Sequence, residues 1–127
     1  MTPQREEALR LLRLARRDKD TFDLLLPLPA ASIEALGFHA QQSVEKALKA
    51  LAALNGLPLR RTHDLVALGQ VLVEHGLVLP VSEDQLRSLN PFAVEFRYDD
   101  EAISYVNRQE LASTLQLLLG WAQTHAQ

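Results

Sequence analysis

Between residues 33 and 54 the apolar positions Ile33, Leu36, Ala40, Val44, Ala47, Leu51 and Leu54 recur at three- and four-residue spacing. At about 100° per residue they fall on one stripe covering less than half of a helical wheel. A strand, with its period of two, cannot place them on one face, so the segment is expected to be a helix that buries one side. The same period runs through the rest of the chain. Ala8, Leu11, Leu12, Ala15, Phe22, Leu25 and Leu26 form a stripe behind Thr2-Pro3, where proline suits a first helical turn. Pro27 and Pro29 stop that helix, and Asn55-Gly56 offers the second a left-handed end.

Three further helices follow. Thr62 stands where a cap would open a third, carrying Leu65, Leu68 and Leu72 and ending near Gly76. Ser82-Glu83-Asp84-Gln85 reads as a capping box for a short fourth, interrupted near Asn90-Pro91. A last helix begins near Asn107, with Glu110 three residues on, and buries Leu111, Leu115, Leu118 and Ala122. No internal repeat, low-complexity tract or strand pattern is present. The expectation is an all-α, up-and-down bundle of four or five helices, forming a single domain over residues 1–127.

A chain of 127 residues can build one core without covalent staples. It has no cysteine, which excludes disulfides, thiolate chemistry and cysteine-based zinc sites. His39, His63, His75 and His125 lack zinc-type spacing, and the five glycines form no phosphate-binding loop. Neither a metal nor a cofactor is expected. The apolar runs at 24–26 and 117–119 fall far short of the roughly 20 residues of a membrane span. Glu6, Glu7 and five arginines within the first seventeen positions are unlike a signal peptide, so a cytoplasmic location is expected. A net charge of -3 argues against coating nucleic acid by bulk charge.

Opposite the stripe of the second helix lie His39, Gln42, Glu45, Lys46 and Lys49, with Phe38 among them. A solvated face tolerates any mixture of acids and bases, whereas this set of imidazole, amide, acid and two ammonium groups beside an aromatic has the makings of a binding surface. Each member also has a plainer explanation. His39 shares a face with Gln42 and Lys46, and is either a contact residue or a histidine bonded to a neighbour. Glu45 and Lys49 are spaced as a surface ion pair; alternatively Lys46 and Lys49 contact phosphate while Glu45 holds one of them in place. Gln41, at the edge of the stripe, suits buried backbone groups. His63 follows the Thr62 cap, with Asp64 complementing the helix dipole; alternatively this helix start beside Arg60 and Arg61 is an anion site, and a mixed role is expected in which the turn stabilises the corner that shapes a pocket. Arg10, Arg13 and Arg17 share a face of the first helix, either solvated or as a second anion surface.

Phe38-His39-Ala40-Gln41-Gln42-Ser43-Val44-Glu45-Lys46-Ala47-Leu48-Lys49-Ala50, followed by Arg61-Thr62-His63-Asp64-Leu65, resembles the core signature of HEPN domains. Ala15-Arg16-Arg17-Asp18 is similar to the Ala-x-x-Asp of that family's first helix, and Glu95-Phe96-Arg97-Tyr98 to its Arg-Tyr element. The resemblance covers nearly the whole chain in the right order. It implies a helical bundle that binds nucleotide, with His39, Gln42, Glu45, Lys46, Lys49, His63, Arg97 and Tyr98 as the binding residues. It further implies a minimal nucleotidyltransferase as partner in a toxin–antitoxin-like pair, and a homodimer or heteromer as the assembled form.

HEPN ribonucleases carry an arginine, four to six intervening residues and a histidine, a pair suited to metal-free attack by a 2′-hydroxyl. No histidine here has an arginine at that spacing, and Arg97 meets Ala102, Ile103 and Ser104 where a histidine would stand. Ribonuclease chemistry of that type is therefore not expected. Two alternatives stay open: an RNA-cleaving toxin that pairs Arg97 with His39 or His63, and a purely structural interaction module.

Overall fold

The computed structural model describes residues 2–93 and 106–127. Thr2 opens α1 (Pro3–Leu25) by accepting the Arg5 backbone N–H on its hydroxyl at 3.1 Å, with Pro3 in the first turn. Ser32 does the same for α2 (Ile33–Leu54), accepting from the Ala35 N–H. The pairs Ala15–Ser43 and Asp18–His39 run in opposite directions along the two helices, so α1 and α2 form an antiparallel hairpin. Gly56 and Gly76, at φ of 69° and 100°, end α2 and α3 (Leu65–Glu74). In each case the following N–H reaches back to close the last turn, from Leu57 to the Ala52 carbonyl and from Leu77 to the Leu72 carbonyl.

The cap of α3 differs from the sequence expectation. Asp64 rather than Thr62 fills the position, its carboxylate accepting the Val66 and Ala67 N–H groups while Thr62 accepts the Asp64 N–H. An ionised cap binds two N–H groups near the positive end of the dipole better than a hydroxyl does. Ser82 and Gln85 make the expected capping box on α4 (Glu83–Leu89), which runs into a 3₁₀ turn at Asn90–Phe92. Asn107 caps α5 (Arg108–His125). All elements are helical, and no strand occurs among the described residues.

Helix α2 is the axis of the bundle. It packs against α1, α3, α4, α5 and the 3₁₀ turn. Its small residues Gly37, Ala40, Ser43, Ala47, Ala50, Ala52 and Ala53 are all buried and let neighbours approach from several sides. The Ser43 hydroxyl donates to the Ala15 carbonyl at 2.7 Å across the α1 contact. At Gly37 the Phe92 ring lies where a β-carbon would be. The stripe read from the sequence is the core at Leu36, Ala40, Val44, Ala47 and Leu51, whereas Ile33 and Leu54 are half-buried where the helix leaves the bundle.

One long-range contact fixes the α1–α2 turn. The guanidinium of Arg108, in the first turn of α5, donates to the carbonyls of Leu26 and Leu28 at 3.0 Å, and also to those of Pro29 and Ala31. Five fixed donors suit this role, because the turn presents carbonyls that no helix satisfies.

Val44 has no exposed surface. Val44→Asp is expected to cost about 4 kcal/mol or more in urea unfolding, because it places an unpaired charge in the core. Arg108→Ala, which strips the turn of its donors, is expected to cost about 1–3 kcal/mol in the same measurement with helix content retained.

Candidate functional site

The polar residues of α2 form two neighbouring clusters, each built on a carboxylate. In the first, Asp18 of α1 takes His39 Nδ1 on one oxygen at 3.2 Å and Lys46 Nζ on the other. Asp18 is 15% exposed, and His39 and Lys46 are about a quarter exposed. Phe38 packs edge-on to the His39 ring with centroids 5.4 Å apart.

Glu45 is the centre of the second cluster. Its carboxylate accepts from Gln41 Nε2 at 3.0 Å, His63 Nδ1 at 2.8 Å and Lys49 Nζ at 3.1 Å. Gln41 also donates to the His63 carbonyl and accepts from Gln42 Nε2 at 2.8 Å. The 60–64 loop is thereby tied to α2 through both the backbone and the ring of His63. Burial, the largest influence, would raise the Glu45 carboxyl, but hydrogen bonds from Gln41, His63 and Lys49, with the Lys49 charge, outweigh it and hold the group below its ordinary value.

The wheel placed Glu45 on an open polar face, yet it is only 5% exposed. The reason is geometric, since a helix surrounded by four others has no wide solvent face. The Glu45–Lys49 pair is thus part of a network around a buried carboxylate and not a fully exposed ion pair. Two residues gain roles that the sequence did not suggest. Asp18 appeared only as part of a family-like element, and its carboxylate binds two of the expected site residues. Gln41, read as a partner for buried backbone, takes that role at the His63 carbonyl and also links Glu45 to Gln42. Among the described residues no buried polar side-chain atom lacks a partner.

The site thus gathers His39, Gln42, Glu45, Lys46, Lys49 and His63 on α2 and the adjoining loop; Arg97 and Tyr98 lie outside the described residues. Each ring bonds a carboxylate through Nδ1, which fixes that nitrogen as the N–H; Nε2 has no partner among the described residues. The His63 side chain is 67% exposed. Asp18 and Glu45 offset Lys46 and Lys49. Among the described residues no group of three or more His, Cys, Asp or Glu side chains is placed to hold a metal ion. Two cavities among the described residues lie elsewhere, one between α3 and α4 and one beside the N-terminal half of α1, and neither is lined by these side chains.

A small antiparallel helical bundle that ties a His-Asp loop to a Gln-Gln-x-x-Glu-Lys-x-x-Lys helix defines a class of compact all-α domains with a polar surface on one central helix. The sequence profile of the HEPN domain family matches residues 6–123, nearly the whole chain, and the protein belongs to that family. No curated protein and no solved structure matches it significantly. Among the described residues no helix is long and apolar enough to cross a membrane.

The lowered Glu45 pKa links the site to stability. Ionised Glu45 stabilises the fold above its ordinary value near 4.5, and the contribution is lost as pH falls through the lower folded value. Glu45→Gln is expected to melt earlier than wild type at neutral pH. The gap should narrow on acidification through the carboxylate range, as thermal melts by circular dichroism would record. A constant gap would show that shape, not charge, is what Glu45 supplies.

Proposed function

We propose that this HEPN domain binds a nucleotide on the α2 surface and acts beside a minimal nucleotidyltransferase in a toxin–antitoxin-like pair. The observation that carries the reading is the pairing of both imidazoles with carboxylates. With Nδ1 donating to a carboxylate, His39 and His63 present Nε2 as an acceptor, suited to a ribose hydroxyl or an N–H on a base edge. Lys46 and Lys49 add ammonium groups whose charge is partly offset by Asp18 and Glu45. Phosphate contact then falls to the lysines and to Arg97, with the imidazoles directed at the base or ribose. Tyr98 adds a phenol suited to a base or ribose. Family membership supports the partner and the assembled homodimer or heteromer.

Because Lys46 and Lys49 each satisfy a carboxylate, removing both to alanine would disturb the network as well as any ligand contact. His63→Ala and Lys46→Gln are the better probes. The first removes a mostly exposed ring, and the second retains a donor for Asp18 without the charge. Calorimetric titration with adenine and guanine nucleotides is expected to show binding to wild type. Affinity should fall about ten-fold in either variant with the fold intact, and should weaken as salt rises. Absence of heat with every nucleotide, together with a stable heteromer, would favour the structural-module reading.

The purified protein is expected to leave RNA uncut, because the arginine–histidine spacing of the family's nucleases is missing. Metal-independent cleavage abolished by His63→Ala or Arg97→Ala would instead assign the Glu45-held imidazole to acid–base chemistry.

A further inference from the structure

Helix α3 has more apolar surface than the bundle covers. Leu65, Val66, Ala67, Leu68, Val71, Leu72 and Val73 leave Gln70 and Glu74 as its only polar residues. A helix apolar on all sides belongs inside a core. Here only Leu65, Leu68, Gly69 and Leu72 are buried, while Val73 is 52% exposed and Val78, in the following loop, 83%. Between α3, this loop and α4 lies a groove of about 460 Å³, walled by aliphatic side chains including Val66, Val73, Val78 and Leu86. Gly69 forms its floor: a β-carbon there would come within 2.9 Å of Leu86 and 3.1 Å of Leu79, so the glycine lets both leucines lie against the helix. None of the candidate nucleotide-site residues among the described residues lines this groove.

The groove's dimensions and charge indicate its occupant. Its α3 wall is made by residues 66, 69, 70 and 73, a spacing of i, i+3, i+4 and i+7 that spans about 10 Å, or two helical turns. A helix laid along it would meet a matching row of anchors. The rim is acidic. Glu83 lines the groove, Asp84 follows it, and Arg87 is the one guanidinium bonded to both, at 3.4 Å and 2.7 Å. Glu74 sits in the last turn of α3, where the dipole favours a cation and no basic residue is present.

We propose that the α3–α4 groove docks a basic amphipathic helix of a partner protein, with its apolar stripe over Val73 and Val78 and its lysines or arginines facing Glu74, Glu83 and Asp84. The test uses a synthetic four-turn peptide carrying leucine at i, i+3, i+4 and i+7 flanked by lysine, and a control with glutamate for lysine. Methyl NMR of the full chain should show shifts at Val66, Val73, Val78 and Leu86 with the basic peptide and none with the acidic one. Val73→Asp combined with Val78→Asp should weaken binding about ten-fold, as should Glu74→Lys combined with Glu83→Lys. Both pairs alter exposed side chains and should spare the fold, which circular dichroism would check. Shifts confined to other surfaces, or equal binding of the acidic peptide, would overturn the proposal. So would contacts in the free protein from Val73 and Val78 to residues 94–105 or to a second copy, since the groove would then already be filled.

Discussion

A helix enclosed on nearly every side cannot carry an unpaired polar group, and much of this structure follows from that constraint on α2. Burying Glu45 without partners would cost several kcal/mol. The fold instead brings it an amide from one turn earlier, an ammonium from one turn later and an imidazole from the 60–64 loop. The position of that loop is in turn set by the carboxylate. Gln41 grips the His63 backbone, and Asp64, next in sequence, caps α3 and accepts from Asn90 at the end of α4. A chain of polar contacts thus runs from the middle of α2 to two other helices.

The two carboxylates also decide what the surface offers a ligand. Each binds one lysine and one imidazole. The lysines are therefore not a free pair of cations, and the surface differs from a basic patch that attracts any polyanion. What distinguishes it is direction as well as charge, since both rings are oriented by carboxylates.

What could be read from the sequence follows the range of the interactions involved. Capping by Thr2, Ser82 and Asn107 and the glycine stops are settled within four residues, so they are legible in a linear string. The fold class is legible for the same reason, because the period of three and four is local. The error at Thr62 was one of choice between two good caps two residues apart. The partners of His39 and Lys46 were another matter, since Asp18 lies 21 and 28 residues away. The burial of Glu45 had a signal that a one-stripe wheel ignores: alanine, glycine and serine occur around α2 on more than one face, marking a helix with neighbours on several sides.

The clasp of Arg108 on the α1–α2 turn bears on how the chain assembles. The side-chain hydrogen bonds between α1 and α2 join residues 21 or 28 apart, whereas Arg108 reaches Leu26 across 82. Closing the longer loop costs about 1 kcal/mol more in chain entropy, so the hairpin is favoured to form before α5 docks. The clasp then acts as a register mark. Its target carbonyls exist as a set only once the turn between the first two helices has taken shape, so α5 finds its seat on a correctly formed hairpin and not on a misfolded one. Asp18, His39, Glu45, Lys46, Lys49 and His63 all precede residue 65. The first half of the chain therefore holds both polar clusters, and the last helix arrives as the closing wall of the core behind them.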